Sequence, residues 1–286
     1  MKPKLLVTGG AGFLGTYLLR QAKSFTTIGT LHHTAVTAIH GITFHVCDLQ
    51  QPEEVRILLD RVHPEIIIHS ACSDQEKHRT AIATAAGLLA MQSAERHIRF
   101  IHLSTDQVFD GLEAPYTETS STHPINPYGT TKAQAENLVR SLNPKATIVR
   151  TSLIYDLRTP DRQIQHLIQT TSTGDLFRLF VDEWRSAIWV ENLADTLLEL
   201  ATKDIPGILH IGGPQPLNRW ELGMQLLQHY RITPTPNIQK GTFAESGLVR
   251  PPNLTLDSTT AQQLLQTPLL SLPESQKTIH NEDECP

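Results

Sequence analysis

A short apolar run, Lys4–Thr8 (KLLVT), passes without a linker into Gly9-Gly10-Ala11-Gly12-Phe13-Leu14-Gly15, and a stretch with helical patterning follows over residues 13–23. Both Gly10-x-Gly12-x-x-Gly15 and the overlapping Gly9-x-x-Gly12-x-x-Gly15 are satisfied. Glycines at this spacing let the backbone turn tightly and approach a ligand without Cβ atoms in the way. At a helix start the free N–H groups and the helix dipole together favour an anion, so the expected ligand is a dinucleotide held by its pyrophosphate. A tight turn with no ligand is the plainer alternative. The position of the loop, between the first strand and the first helix, argues against it.

The first half of the chain repeats the alternation. Strands are expected at Thr26–Leu31, Thr43–Val46, 65–69 (EIIIH), 99–103 (RFIHL) and 146–150 (ATIVR), and helices at Pro52–Val62, 80–96 and 128–142. Strands alternating with crossover helices predict an α/β, Rossmann-like, doubly wound parallel sheet. Beyond residue 152 prolines and turns interrupt the pattern, with helices expected near 190–201 and 219–229. The expected division is a dinucleotide-binding domain over 1–152, a smaller C-terminal substrate-binding lobe over 153–267 whose segments can return to the main sheet, and a frayed tail over 268–286.

The charge balance excludes some partners. Lys and Arg number 24 against 29 Asp and Glu, a net charge of −5, which is not the basic surplus of a nucleic-acid binder. No apolar run reaches the roughly 18 residues of a membrane-spanning helix. The opening MKPKLLVTGG leaves no room for a secretory leader, so a cytoplasmic location is expected, with neither nucleic acid nor membrane as partner. Cys47, Cys72 and Cys285 are scattered and expected as free thiols, and no His/Cys pattern suggests a metal.

The ribose selector is less decided. A carboxylate about 20 residues beyond the glycine loop would favour NAD(H). Here Leu31, His32 and His33 stand at that place, so NADP(H) is favoured, with His32 or His33 toward a 2′-phosphate, and NAD(H) stays open.

A second signal lies at the end of the fifth strand, where Ser104, Thr105 and Asp106 are followed by Tyr128-Gly129-Thr130-Thr131-Lys132 at a helix start. Tyr128 and Lys132, four apart, share one helix face. A nearby ammonium favours a phenolate, and a tuned phenol can exchange a proton with a carbonyl oxygen. Thr105, at the carboxyl end of a central strand, would polarise the same carbonyl, because ligands of open α/β sheets bind at that edge. Alone, Tyr-x-x-x-Lys is also compatible with a surface tyrosine beside a surface lysine.

Together these segments resemble the extended short-chain dehydrogenase/reductase family, and within it the dTDP-4-dehydrorhamnose reductases. The resemblance covers about residues 4–265 and rests on TGGAGFLG (8–15), STDQVFDG (104–111), PYTE (115–118), YGTTKAQAE (128–136) and RPPNLTLD (250–257). It implies a nicotinamide cofactor and reduction of the 4-keto group of a nucleotide-activated deoxy sugar, with Thr105, Tyr128 and Lys132 catalytic and Tyr128 as proton donor. By the same resemblance Gly9, Gly12, Phe13, Leu14, His32, Asp48, Leu49, Ser70 and Ala71, with Tyr128 and Lys132, bind the cofactor. Thr105, Asp106, Leu153, Arg185 and Arg250 face the substrate, where Arg185 could clamp a diphosphate or simply form a loop ion pair. The chain departs from its relatives at Gln107 (often Tyr), Leu153 (often Trp) and Thr84 (usually Asn). Those departures keep other readings open: an epimerase, a reductase of another carbonyl compound, or a non-catalytic NADP-binding regulatory subunit resembling that of methionine adenosyltransferase. A homodimer is compatible with all of them.

Overall fold

The computed structural model describes residues 1–32, 39–72, 79–247 and 250–283, so His33 and Cys285 lie outside the described residues. The chain starts with β1 (Lys4–Thr8), α1 (Phe13–Gln21), β2 (Thr26–Leu31), β3 (Thr43–Val46), α2 (Pro52–Val62), β4 (Ile66–His69), α3 (Arg79–Glu95), β5 (Arg99–Thr105), α4 (Pro127–Leu142) and β6 (Thr147–Thr151). It continues through β7 (Ile154–Tyr155), α5 (Arg162–Thr173), β8 (Phe177–Phe180), β9 (Trp184–Arg185), β10 (Ile188–Trp189), α6 (Val190–Leu200) and β11 (Gly207–Ile211). It ends with β12 (Leu217–Asn218), α7 (Arg219–His229), β13 (Ile238–Gly241), α8 (Phe243–Ser246), α9 (Thr259–Leu264) and α10 (Leu272–Asp283).

Seven parallel strands form the main sheet in the order β3-β2-β1-β4-β5-β6-β11. This is the doubly wound α/β sheet that the alternating pattern predicts. Its residues alternate between two cores: Leu5, Val7, Ile66, Ile68 and Ile101 pack with α1 and α6, while Leu6, Ile67, Phe100 and Ile148 pack with α2, α3 and α4. Both faces are therefore dry, as a parallel sheet covered by crossover helices requires. The order reverses at β1 and β4, and the crevice there opens between the loops that follow Thr8 and His69.

Beyond residue 152 one stretch follows the sequence-based reading and one departs from it. β11 joins the sheet beside β6, so the chain does return to the first domain. The expected frayed tail carries α10, with Leu272, Ser275 and Ile279 buried. The reason is local as well as tertiary: the Glu274 carboxylate accepts from the Ser271 N–H at 2.8 Å and the Ser271 hydroxyl at 2.5 Å, a capping arrangement at the helix start.

Three imidazoles are sealed in this fold. His69 and His102 stack with ring centroids 5.2 Å apart, and His69 Nδ1 lies 2.6 Å from the Thr8 hydroxyl. Burial pushes His69 down to about 3 and His102 well below its ordinary range, with the Lys132 ammonium adding to both. Burial and Arg150 push His210 down to about 4. All three stay neutral when folded but take up protons when unfolded below about pH 6.5. The unfolded chain then binds more protons, so stability is expected to fall as pH drops from about 6.5 toward 4. Urea midpoints measured across that window test this, and a flat profile would contradict neutral burial of the three rings.

Candidate active site

The glycine loop is built as its spacing demands. Gly9 takes φ +70°, and a Cβ there would lie 2.7 Å from Ala71 Cα. A Cβ on Gly15 would lie 2.2 Å from the Gly9 carbonyl oxygen, so helix α1 can seat against the turn only with glycine there. Gly12 is the N-cap of α1, and no side chain caps the helix. The N-terminal N–H groups of α1 are thus left for an anion.

In front of this loop runs a groove of about 440 Å³. Gly9, Gly12, Ser70 and Ala71 line its middle, and His32, Asp48 and Leu49 line one end. Phe13 and Leu14 open α1, with Phe13 exposed and the Leu14 side chain in the core, so any contact they make to a pyrophosphate is through their backbone N–H groups. His32 Nε2 lies 3.9 Å from Asp48 Oδ2, and hydrogen bonding from the Gln50 N–H is the main effect holding the Asp48 carboxyl below its ordinary range. The fit to a dinucleotide is good in kind: a Cβ-free cradle, a helix N-terminus, and an elongated groove crossing the sheet edge at its switch point.

At the other end of the groove Cys72 meets Tyr128, with the thiol donating toward the Tyr128 hydroxyl at 3.7 Å. Tyr128 stands at the start of α4, which Asn126 caps by accepting from the Gly129 N–H at 2.8 Å. The Gln107 side-chain oxygen accepts from the Asn126 amide at 3.1 Å and braces that cap. One turn further on, Lys132 is buried and its ammonium donates to the Leu103 carbonyl at 2.5 Å. Thr84 is exposed on α3, whose groove face is Ala81, Ile82 and Ala85. The lysine is thus anchored by backbone at the end of β5.

Thr105 ends β5 and caps the turn Asp106–Val108, accepting from the Gln107 N–H at 3.3 Å and donating to Asp106 Oδ1 at 3.2 Å. It also faces the Tyr128 hydroxyl. Burial, with Cys72 and Asp106 beside it, pushes the Tyr128 phenol well above its ordinary range, while burial pushes the Lys132 ammonium down. Burial therefore outweighs the lowering expected from Lys132, and Tyr128 is held as a phenol with a proton to give.

The sequence-distant motifs converge behind this turn. Tyr116 stacks on Phe109 with centroids 4.0 Å apart, and its hydroxyl donates to Asp110 at 2.7 Å. Leu254 and Leu256 complete the same small core, and the Tyr116 N–H donates to the Thr255 carbonyl at 2.9 Å. PYTE and RPPNLTLD thus brace the loop that carries Thr105 and Asp106.

A second cleft, of about 360 Å³, opens between β7, α5, β8 and α7. Leu153 and Arg250 line it, as do Arg178, Arg219, Phe177 and Phe180. Arg185 does not. Its guanidinium is buried and turned inward, donating to the Trp184 carbonyl at 2.7 Å and the Pro251 carbonyl at 3.2 Å, and pairing with Glu183 at 3.0 Å. Of the two readings of Arg185, a diphosphate clamp or a loop ion pair, this arrangement is the ion pair: backbone carbonyls and a buried carboxylate hold the guanidinium. Arg178 and Arg219 are cleft cations that sequence reasoning missed; for Arg219 a local signal existed. It was the capping box of Asn218 and Glu221, which places Arg219 at the first position of α7.

With this geometry in view, comparison with known proteins is decisive on kinship. A family model, the RmlD substrate binding domain, matches residues 2–283. The chain belongs to the RmlD family. Among its relatives, the dTDP-4-keto-6-deoxy-D-glucose reductase of Streptomyces niveus is 34% identical over 222 residues, 73% of each chain. A probable low-salt glycan biosynthesis reductase of Haloferax volcanii is 31% identical over 237 residues, 78% of each chain. The crystal structure of dTDP-4-dehydrorhamnose reductase from Bacillus anthracis in complex with NADP has a TM-score of 0.83 to this RmlD-family chain. It is 21% identical and the match covers 99% of this chain and 100% of that one, a likeness of fold. Among the described residues no helix is long and apolar enough to cross a membrane, and no cluster suits a metal ion.

Proposed function

We propose that this RmlD-family chain reduces the 4-keto group of a nucleotide-activated deoxy sugar with NADPH, Tyr128 giving the proton. The observation that carries the reading is the convergence of three groups at the end of β5. The protonated Tyr128 phenol touches Cys72 of the glycine groove, the Thr105 hydroxyl faces it, and the Lys132 ammonium, one turn further along α4, is anchored to the Leu103 carbonyl. A bound nicotinamide supplies the hydride for the carbonyl carbon. Thr105 donates a hydrogen bond to the carbonyl oxygen, and Tyr128 transfers its proton to that oxygen as the alcohol forms. Lys132, close behind, stabilises the phenolate left on Tyr128. Gly9 and Gly12 hold the pyrophosphate, Ser70 and Ala71 the middle of the cofactor, Asp48 and Leu49 its adenine end. His32, at a place where β2 ends without a carboxylate, favours a 2′-phosphate and hence NADPH over NADH.

Arg219 and Arg250 in the second cleft suit the diphosphate of the activated sugar, and Leu153 faces the sugar between the two sites. Replacing either arginine by alanine is expected to raise the KM for the nucleotide sugar roughly tenfold, since a charge-assisted hydrogen bond contributes about 1.5–3 kcal/mol. The KM for NADPH should stay within about twofold, because neither residue lines the groove. An unchanged nucleotide-sugar KM in both variants would remove this cleft from substrate binding.

The deciding experiment follows reduced-nicotinamide absorbance with NADPH, then NADH, and an enzymatically prepared dTDP-4-keto-6-deoxy sugar. Steady loss of absorbance supports the reductase and ranks the cofactors. Conversion of sugar without net loss points to an epimerase, which returns its hydride. Tight NADPH binding with no turnover of any keto sugar points instead to a regulatory binding subunit.

A further inference from the structure

Arg185 is buried, lies outside both clefts, and is still the cation nearest to Asp106. Its Nε is 3.9 Å from Asp106 Oδ2, and its Nη2 is 3.0 Å from Glu183 Oε1. Asp106 in turn receives the Ser152 hydroxyl on Oδ2 at 2.6 Å and the Thr105 hydroxyl on Oδ1 at 3.2 Å. Glu183 is buried, and its other oxygen has no hydrogen-bond partner among the described residues, with the half-exposed Arg250 at 3.7 Å. Charges therefore alternate along Asp106, Arg185, Glu183 and Arg250, from the hydroxyl at the end of β5 to the rim of the second cleft.

We propose that Arg185 is a positioning residue for the reduction: anchored by Glu183, it keeps Asp106 an acceptor on both oxygens, and Asp106 holds the Thr105 oxygen in place at the end of β5, from where its one proton turns to the arriving carbonyl. The inference rests on the reading of Thr105 as the hydroxyl that meets the carbonyl.

The chemistry is that of donors and acceptors in a dry site. An ionised carboxylate only accepts, which forces Ser152 and Thr105 to donate. A protonated carboxyl accepts fully on only one oxygen, so it no longer holds Ser152 and Thr105 together, and the Thr105 oxygen is free to turn away from the site. Burial pushes Asp106 toward the protonated form, and Arg185 opposes this most strongly. The charged or titratable groups facing Asp106 are Arg185 and Glu183 from the β9 segment and Tyr128 from α4. The long Thr105–Asp106 bond suits a hydroxyl that leaves Asp106 when a carbonyl oxygen arrives.

The test uses the full chain with Arg185→Met, Arg185→Lys and Arg250→Met, each first checked for NADPH binding and thermal midpoint. Arg185→Met is expected to lower kcat by roughly 10- to 100-fold while the KM values for sugar and NADPH move less than about threefold. The acidic limb of its kcat profile should move to higher pH, and Arg185→Lys should recover part of kcat. Arg250→Met should instead act on KM. In parallel, the Asp106 carboxyl carbon is followed by aspartate-selective ¹³C NMR without substrate, its signal assigned with Asp106→Asn. Asp106 should take up its proton at higher pH in Arg185→Met than in the parent chain. An Asp106 titration indifferent to Arg185 overturns the proposal, as does a raised sugar KM at unchanged kcat. If the parent chain reduces no keto sugar, the underlying reading fails, and the NMR arm still decides whether Arg185 sets the charge of Asp106. Should Arg185→Met not fold, Arg185→Lys carries the same readouts.

Discussion

Replacing Tyr128 by phenylalanine is expected to lower turnover by roughly 10²- to 10⁴-fold, the usual worth of a positioned general acid. NADPH affinity and thermal midpoint should change little, because among the described residues the lost hydroxyl gives up a 3.7 Å contact from the Cys72 thiol and the facing Thr105 hydroxyl. The same residue gives a directional pH signature. Burial holds Tyr128 protonated well above its ordinary range. The phenol is the form that donates in ketone reduction, so forward turnover should show no loss from Tyr128 through neutral and mildly alkaline pH. Oxidation of the alcohol needs the phenolate, so the reverse rate should climb with pH over that range. Stopped-flow measurements in both directions would show it. Retention of more than about a tenth of the parent turnover in the phenylalanine variant would remove Tyr128 from the proton-transfer step.

The second large effect is one of stability. Glu136, one turn beyond Lys132, pairs with Arg150 of β6 through Nη2 at 2.7 Å and Nε at 3.0 Å, and both side chains are only 3% exposed. Glu136 also accepts the Ser104 hydroxyl at 2.5 Å, next door to Thr105, and the Arg150 guanidinium lies 5.0 Å over the Phe109 ring. Removing one partner leaves a buried charge uncompensated, at a cost of about 3–5 kcal/mol. Against a total stability of about 5–15 kcal/mol this is a large share. Glu136→Leu should therefore lower the urea midpoint markedly, and Arg150→Met likewise. The double replacement Glu136→Leu with Arg150→Met should be milder than either single change, since an apolar pair of similar volume is often neutral. A double-mutant cycle by equilibrium denaturation measures this, and single costs below about 1 kcal/mol would mean that the pair is not sealed from water. Any folded single variant should also lose activity, because Glu136 holds Ser104, the neighbour of Thr105, and follows Lys132 by one turn of α4.

Much of the fold was legible before any coordinate. KLLVT followed by glycines, the EIIIH and RFIHL runs, and the amphipathic Pro52–Val62 stretch are local signals, and each corresponds to an element here. The Tyr128–Lys132 spacing was equally local, since four residues on a helix share a face wherever the helix sits. α5 was missed although its signals were present: Asp161 caps it by accepting from the Gln163 and Ile164 N–H groups, and Gly174 closes it at φ +77°. The surrounding prolines hid a pattern that rests on three apolar positions, Ile164, Leu167 and Ile168. α10 was hidden by its polar composition, since Leu272 and Ile279 become a buried face only against the core that receives them.

The sequence by itself determined the α/β class, the glycine cradle, and the shared helix face of Tyr128 and Lys132, because period, spacing and backbone freedom are properties of neighbouring residues. Only the tertiary structure decided where the long polar side chains end. Arg185 turns inward to the carbonyl of Pro251, 66 residues away, Arg219 reaches the open cleft, and Gln107 braces the cap of α4. A guanidinium or amide carries the same chemistry in the chain whatever it meets. Its partner is chosen by the carbonyls and carboxylates that folding brings within 3 Å or so, and burial then makes that choice costly to reverse.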